Sequence, residues 1–138
     1  DVSIQAQILN LLQELRDRLK LTYLLVSHDL KVVEHFCDRL LVMYLGSIVE
    51  ELPCTDLEGQ ARHPYARALL DAIPIDDPRE RKKRAVLQGD VPSPIAMPTG
   101  CAFASRCPLV EDRCRHEVPQ LVSIGPAHRV ACHAVSAR

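Results

Sequence analysis

Four cysteines near the end of the chain have the residue type and spacing of a possible metal site. Cys101, Cys107, Cys114 and Cys132 are separated by five, six and seventeen residues. Structural zinc sites usually use pairs about two to four residues apart, which this segment lacks. A [4Fe–4S] cluster also takes four thiolates and accepts wider loops between them. Disulfides fit the even count, but they are rare in a reducing compartment, and nothing in the sequence suggests export.

We therefore expect these four cysteines to bind a [4Fe–4S] cluster, with zinc as the second candidate and ordinary buried cysteines as the plain alternative. The tail after about Pro74 has few apolar residues, so metal binding would be coupled to its folding. His116, His128 and His133 could replace a thiol ligand, but we expect them beside the site or in solvent. Cys37 and Cys54 stand apart and are expected to be buried or incidental.

A second candidate is His28, in the stretch "TYLLVSHDL". The apolar run from Tyr23 to Val26 suits an inner strand of a parallel sheet. A side chain at the carboxyl end of such a strand lies where ligands bind in α/β sheets. There an imidazole can hydrogen-bond a terminal phosphate oxygen and an attacking water, although an exposed or helix-capping histidine is the alternative. Asp29 is expected to cap the next helix.

The elements that must position these groups divide the chain into two parts. In residues 1–60 the pattern predicts a helix capped by Ser3, a strand, a short helix from Asp29 to Phe36, and two more strands, which is typical of an α/β sheet. Two or three strands are few for such a sheet, and the chain begins at Asp1 rather than Met, so we expect a piece of a larger domain.

The second part, residues 61–138, differs in composition because most of the ten prolines follow position 60. "HPYARALLDAIP" predicts a short helix with Pro64 in its first turn and His63 as a cap or surface residue. A basic run at residues 79–84 predicts a solvated linker. "GDVPSPIAMPTG" predicts an extended loop that leads into the cysteines.

Composition limits the classes of function. The chain of 138 residues is 47% hydrophobic and 25% charged, which is typical of a globular domain. A net charge of -1 argues against binding driven by nucleic-acid phosphates or by an anionic membrane surface. No apolar run approaches the roughly 20 residues of a membrane-spanning helix.

Two groups of segments carry a resemblance to a known family. "DVSIQAQILNLLQELRDRL" and "LTYLLVSHDLKVVEHFCDRLLVMYLGSIVE" resemble the second half of an ABC-transporter nucleotide-binding domain. "RHPYARALLDAIP", "LQGDVPSP", "PTGCAFASRCP" and "HRVACH" resemble the C-terminal extension of the ATP-binding subunits of oligopeptide and dipeptide importers. The resemblance implies that His28 is the switch histidine that senses the γ-phosphate. It also implies that Asp1 closes the D-loop and touches the partner's phosphate-binding loop, and that the four cysteines hold a [4Fe–4S] cluster.

The fold implied by the resemblance is the C-terminal part of an ABC-type P-loop ATPase domain in residues 1–60, followed by a loop-rich, cysteine-containing extension in residues 61–138. The implied activity is ATP hydrolysis, with Mg²⁺, that energises import of oligopeptides or dipeptides across the bacterial inner membrane. The implied partners are a second ATPase subunit, two membrane permease subunits and, indirectly, an extracytoplasmic peptide-binding protein, with the subunit peripheral on the cytoplasmic face.

The chain lacks a G-x-x-x-x-G-K-[ST] phosphate loop, an "SGGQ" stretch and a strand that ends in an Asp–Glu pair. Phosphoryl transfer depends on such parts, so the 138-residue chain alone is expected to be inactive. The alternative from another class of protein is a stand-alone four-cysteine metal-binding module with a regulatory or interaction role.

Overall fold

The computed structural model describes residues 2–73 and 98–136, with side chains from residue 4 onward. Asp1, the basic run and most of the proline-rich loop lie outside these residues. The helices are α1 (Val2–Leu19), α2 (Leu30–Phe36), α3 (Leu57–Gln60), α4 (Pro64–Asp71) and α5 (His133–Ser136). The strands are β1 (Arg39–Tyr44), β2 (Ser47–Pro53), β3 (Val122–Gly125) and β4 (His128–Val130), and short 3-10 turns cover Ala104–Arg106 and Asp112–Arg115.

The four strands form one antiparallel sheet in the order β1-β2-β4-β3. β1 and β2 are joined by the two-residue turn Leu45–Gly46, whose φ angles are 44° and 79°. Two positive φ angles in a row are typical of the tight turn that closes an antiparallel hairpin, and Gly46 adopts such an angle without a steric penalty. The predicted mixture of helices and sheet is therefore confirmed.

The predicted parallel strand at residues 23–26 is wrong for the part of the chain that the structure describes. The segment runs without a strand partner between α1 and α2, and the side chains of Leu24 and Val26 are 87% and 91% exposed. An apolar run indicates a preference for burial, but a strand also needs a neighbour whose backbone completes its hydrogen bonds. Neither 2–73 nor 98–136 supplies that neighbour.

The helix predictions hold better. The Asp29 carboxylate accepts hydrogen bonds from the Lys31 and Val32 amides at 3.1 and 3.3 Å, so it caps α2 as predicted. Pro64 occupies the first turn of α4 and His63 caps that helix, also as predicted. α1 begins at Val2, one residue before Ser3, which was predicted to precede the helix.

The core combines residues from both halves of the sequence. Phe103, which is completely buried, has its ring centroid 5.2 Å from that of Tyr44, 5.4 Å from that of Tyr65 and 5.7 Å from that of His63. Around these rings lie aliphatic side chains of the hairpin and of α3 and α4: Val42, Val49, Leu52, Leu57 and Leu70. The division of the chain at residues 60 and 61 stays a prediction, and the sheet takes strands from both sides of it.

Among the described residues, none of the helices combines the length and the apolar character needed to cross a membrane.

Candidate functional site

His28 lies on an ordered turn between the extended segment and α2. The Ser27 hydroxyl accepts a hydrogen bond from the Asp29 amide at 3.0 Å, and the Asp29 carboxylate caps the helix that follows. Two consecutive side-chain caps fix the backbone on the C-terminal side of His28, while the imidazole itself is exposed to solvent. The turn therefore presents the ring outward, where it can donate or accept a hydrogen bond.

One exposed imidazole suits an oxygen of a phosphate group or a water molecule, since a ring nitrogen can play either role. It does not by itself fit a Mg²⁺ site, because Mg²⁺ takes an octahedral set of oxygen ligands. Asp1, the second nucleotide-contacting residue implied by the resemblance, lies outside the described residues.

The four cysteines of the tail lie near one another in the fold. The pKa of Cys107 is raised to about 11, mainly by burial; the hydrogen bond from the Leu109 amide opposes this rise, and the neighbouring Cys132, Cys101 and Cys114 add to it. The Cys101 amide also donates to the Cys114 carbonyl at 2.8 Å, which joins two parts of the loop.

The prediction of a metal at Cys101, Cys107, Cys114 and Cys132 is nevertheless wrong, both as a [4Fe–4S] cluster and as zinc. Nowhere in residues 2–73 and 98–136 do three or more His, Cys, Asp or Glu side chains form a group that could hold a metal ion. The physical reason is that coordination requires converging thiolates. The described cysteines do not form such a converging group.

The histidines considered as substitutes for a thiol have other roles. His128 and His133 are buried, and their Nε2 atoms lie 2.7 Å from the Glu50 carboxylate and 3.1 Å from the Glu117 carbonyl oxygen. All six cysteines of the chain are free thiols. The plain alternative of ordinary cysteines describes them, and the hypothesis of a stand-alone metal-binding module loses its basis.

Glu50 is a buried polar centre that the sequence analysis missed. Its side chain is completely buried. Oε1 accepts from the Arg62 amide at 2.8 Å and lies 2.7 Å from His128 Nε2, and Oε2 accepts from the His63 amide at 2.9 Å. The carboxylate therefore joins β2, the start of α4 and β4. The signal that could have revealed it is a pair of glutamates inside the apolar strand pattern "IVEEL", because buried carboxylates need partners.

Glu51 makes the equivalent connection on the opposite face of β2. Its carboxylate lies 2.9 Å from Arg39 Nη1 on β1 and 2.6 Å from Arg129 Nε on β4. The carboxylate is buried, whereas both arginines keep about half or more of their side chains in solvent. Neighbouring carboxylates of one strand thus bind β4 from both faces of the sheet.

His63 is neutral at physiological pH. Burial lowers its pKa from 6.5 to about 4, and its Nδ1 accepts a hydrogen bond from the Tyr65 amide at 3.1 Å. An acceptor nitrogen must be unprotonated, so capping and burial both favour the uncharged ring. His63 is thus the cap of α4, as the sequence suggested.

Comparison with known proteins supplies the context for these residues. A family model described as "Oligopeptide/dipeptide transporter, C-terminal region" matches residues 49–114. A Brucella ovis protein described as a peptide import ATP-binding protein is 54% identical over 132 residues, which are 96% of this chain and 42% of that protein. The oligopeptide transport ATP-binding protein AppF of Bacillus subtilis is 45% identical over 138 residues, which are 99% of this chain and 42% of that protein.

The chain thus spans about two fifths of the length of these curated relatives. Residues 49–114 include the Glu50 centre, the capped helix α4 and three of the four tail cysteines. The resemblance stated from the sequence is therefore confirmed: the chain is similar over nearly its whole length to peptide-import ATP-binding proteins, and residues 49–114 match the model of the C-terminal region of oligopeptide and dipeptide transporters.

Proposed function

We propose that the chain is part of an ATP-binding subunit that energises import of peptides across the bacterial inner membrane. The observation that carries this proposal is the similarity over 96% of the chain to a protein described as a peptide import ATP-binding protein. The subunit would act at the cytoplasmic face as a peripheral protein. Its partners would be a second ATP-binding subunit, two permease subunits and, indirectly, an extracytoplasmic peptide-binding protein.

In this proposal His28 is the residue of the chain that acts in hydrolysis. The exposed imidazole on its capped turn would hydrogen-bond the terminal phosphate of ATP and help to orient the attacking water. Asp1 would contribute to the nucleotide site at the interface with the second subunit. Mg²⁺ would neutralise phosphate charge, and its ligands would come from parts of the subunit other than the described residues.

Replacement of His28 in the full-length, assembled subunit tests the proposal. We expect His28→Ala to leave ATP affinity nearly unchanged and to lower steady-state hydrolysis by about a hundredfold or more, the usual scale for loss of a positioned proton-transfer or water-orienting group. His35→Ala, an exposed histidine on α2, is the matched control and should hydrolyse ATP at the normal rate. Normal turnover in His28→Ala would contradict the role of His28.

A further inference from the structure

The segment that carries His28 begins and ends at one aromatic contact. Tyr23 precedes His28 on the extended segment, and Phe36 ends the helix that follows it. The centroids of these two rings are 5.9 Å apart, with an angle of 33° between the ring planes. Phe36 is buried and Tyr23 is half-buried. The segment before the His28 turn and the helix after it therefore contact each other through Tyr23 and Phe36.

Arg16 of α1 contacts the same residue in two ways. Its Nη1 donates to the Phe36 carbonyl oxygen at 3.2 Å, and its guanidinium carbon lies 5.7 Å from the centre of the Phe36 ring. A cation at the last carbonyls of a helix is favourable because those carbonyls carry the negative end of the helix dipole. The Arg16 side chain as a whole is 27% exposed, and its Nε also lies 3.6 Å from the exposed Asp17 carboxylate.

These contacts matter for His28 because α2 is short. A helix of seven residues is only about 10 Å long and behaves as a rigid rod. Its first turn is fixed to the His28 turn by the Asp29 cap, so a change in the position of Phe36 moves the other end of the helix and the imidazole with it.

We propose that Arg16, Tyr23 and Phe36 form a clamp that positions His28, an inference that rests on the proposed role of His28 in ATP hydrolysis. The three residues are positioning residues, since none of them is placed at the nucleotide. The clamp holds the two ends of residues 23–36 together, and the hydrogen bonds to the Ser27 and Asp29 side chains fix the turn that carries His28.

Arg16→Met in the full-length, assembled subunit is the first test. Methionine keeps much of the apolar stem and removes the guanidinium. We expect kcat for ATP hydrolysis to fall about tenfold, because a misplacement of about 1 Å can cost up to about a hundredfold. Nucleotide affinity should stay within about twofold of the unmodified subunit. The number of nucleotide sites per subunit should not change. Arg18→Met, whose side chain is 71% exposed on the same helix, is the control and should keep normal kcat.

The second test separates positioning from general destabilisation. If Arg16 acts through His28, Arg16→Met should lower single-turnover hydrolysis no further in a His28→Ala background. A merely structural defect would lower it in both backgrounds and would reduce the number of functional nucleotide sites. Tyr23→Phe, which keeps the ring, should retain kcat, whereas Tyr23→Ala should lose it about as Arg16→Met does.

Hydrogen exchange gives a readout that does not depend on activity. The amides of Lys31 and Val32, which donate to Asp29, should exchange faster in Arg16→Met and not in Arg18→Met. Unchanged kcat and unchanged exchange in Arg16→Met, together with a large loss in His28→Ala, would overturn the clamp and leave the proposed function intact. Normal turnover in His28→Ala would overturn both.

Discussion

Replacement of Glu50 by glutamine should lower the free energy of unfolding, because the buried carboxylate accepts more hydrogen bonds than an amide oxygen can. Glu50 lies on β2, is completely buried and has three partners within 2.9 Å: the amides of Arg62 and His63 and the His128 ring. Glutamine has nearly the same shape but only one acceptor oxygen, and its NH₂ group must face at least one of the donors. The change therefore tests hydrogen bonding and charge rather than side-chain volume.

The magnitude follows from the three contacts. If the amide oxygen takes the position of Oε1, it keeps the Arg62 amide and the His128 ring as partners. The His63 amide is then left buried against an NH₂ group, and an unsatisfied buried donor costs about 1–3 kcal/mol. Loss of the carboxylate charge also weakens the two remaining bonds, because a hydrogen bond to a charged group contributes about 1.5–3 kcal/mol and a neutral one about 0.5–1.5 kcal/mol. We expect the free energy of unfolding to fall by about 3–4 kcal/mol.

Urea unfolding and amide exchange in the full-length subunit provide the assay. The amides of Arg62 and His63 should show the largest increase in exchange rate, because both donate to Glu50. Glu14→Gln is the matched control. Its carboxylate is exposed and lies 3.9 Å from Arg18, a type of surface pair worth about 0.5 kcal/mol or less. A Glu50→Gln variant as stable as Glu14→Gln, with unchanged exchange at residues 62 and 63, would refute the reasoning.

Two further predictions concern His63 and Gly100. Burial lowers the pKa of His63 to about 4 in the folded chain, whereas the unfolded value is about 6.5. As the pH falls below about 6.5, the unfolded chain binds a proton that the folded chain does not, so the free energy of unfolding should fall by up to about 3 kcal/mol by pH 4. His63→Asn keeps a capping oxygen but cannot titrate, so its stability should fall less over that range, and an identical pH dependence would contradict the assignment. Gly100→Ala should destabilise residues 98–136 by at least about 1–3 kcal/mol, because its Cβ would lie 2.3 Å from the Cys114 carbonyl oxygen. Gly125→Ala, whose Cβ would lie 3.9 Å from its nearest neighbour, is the control, and equal resistance of the two variants to proteolysis would contradict the steric argument.

Local signals in the sequence predicted the elements that depend on local chemistry. Asp29 before an amphipathic stretch and Pro64 in a first turn both fix a helix start through groups a few residues away. The partner of a strand is a long-range property, and the run at residues 23–26 contains no information about which backbone lies beside it. For the same reason the hairpin of β1 and β2 was expected as two strands, while its pairing with β4, about eighty residues later in the chain, was not.

The site shows the same limit at the level of side chains. His28 could be proposed from the sequence because its chemistry depends on its own ring and on its place at the end of an apolar run. A metal at four cysteines depends on whether their sulfurs converge on one point, and spacing in sequence does not specify those directions. Glu50 was missed because a carboxylate in a strand looks like a surface residue until its three donors, drawn from residues 62, 63 and 128, are known.

The two glutamates of β2 explain why residues 98–136 dock on the hairpin in one register. Glu50 and Glu51 are consecutive and so point to opposite faces of the sheet. On β4 they meet His128 and Arg129, which are also consecutive and alternate in the same way. A slip of β4 by one residue would exchange the faces of His128 and Arg129, so Glu50 would lose its imidazole partner and the Arg129 side chain would have to enter the buried side of the sheet. β2 also pairs with β1, and β1 begins three residues after Phe36, so any shift of the C-terminal segment that keeps these contacts would also move the hairpin that follows α2.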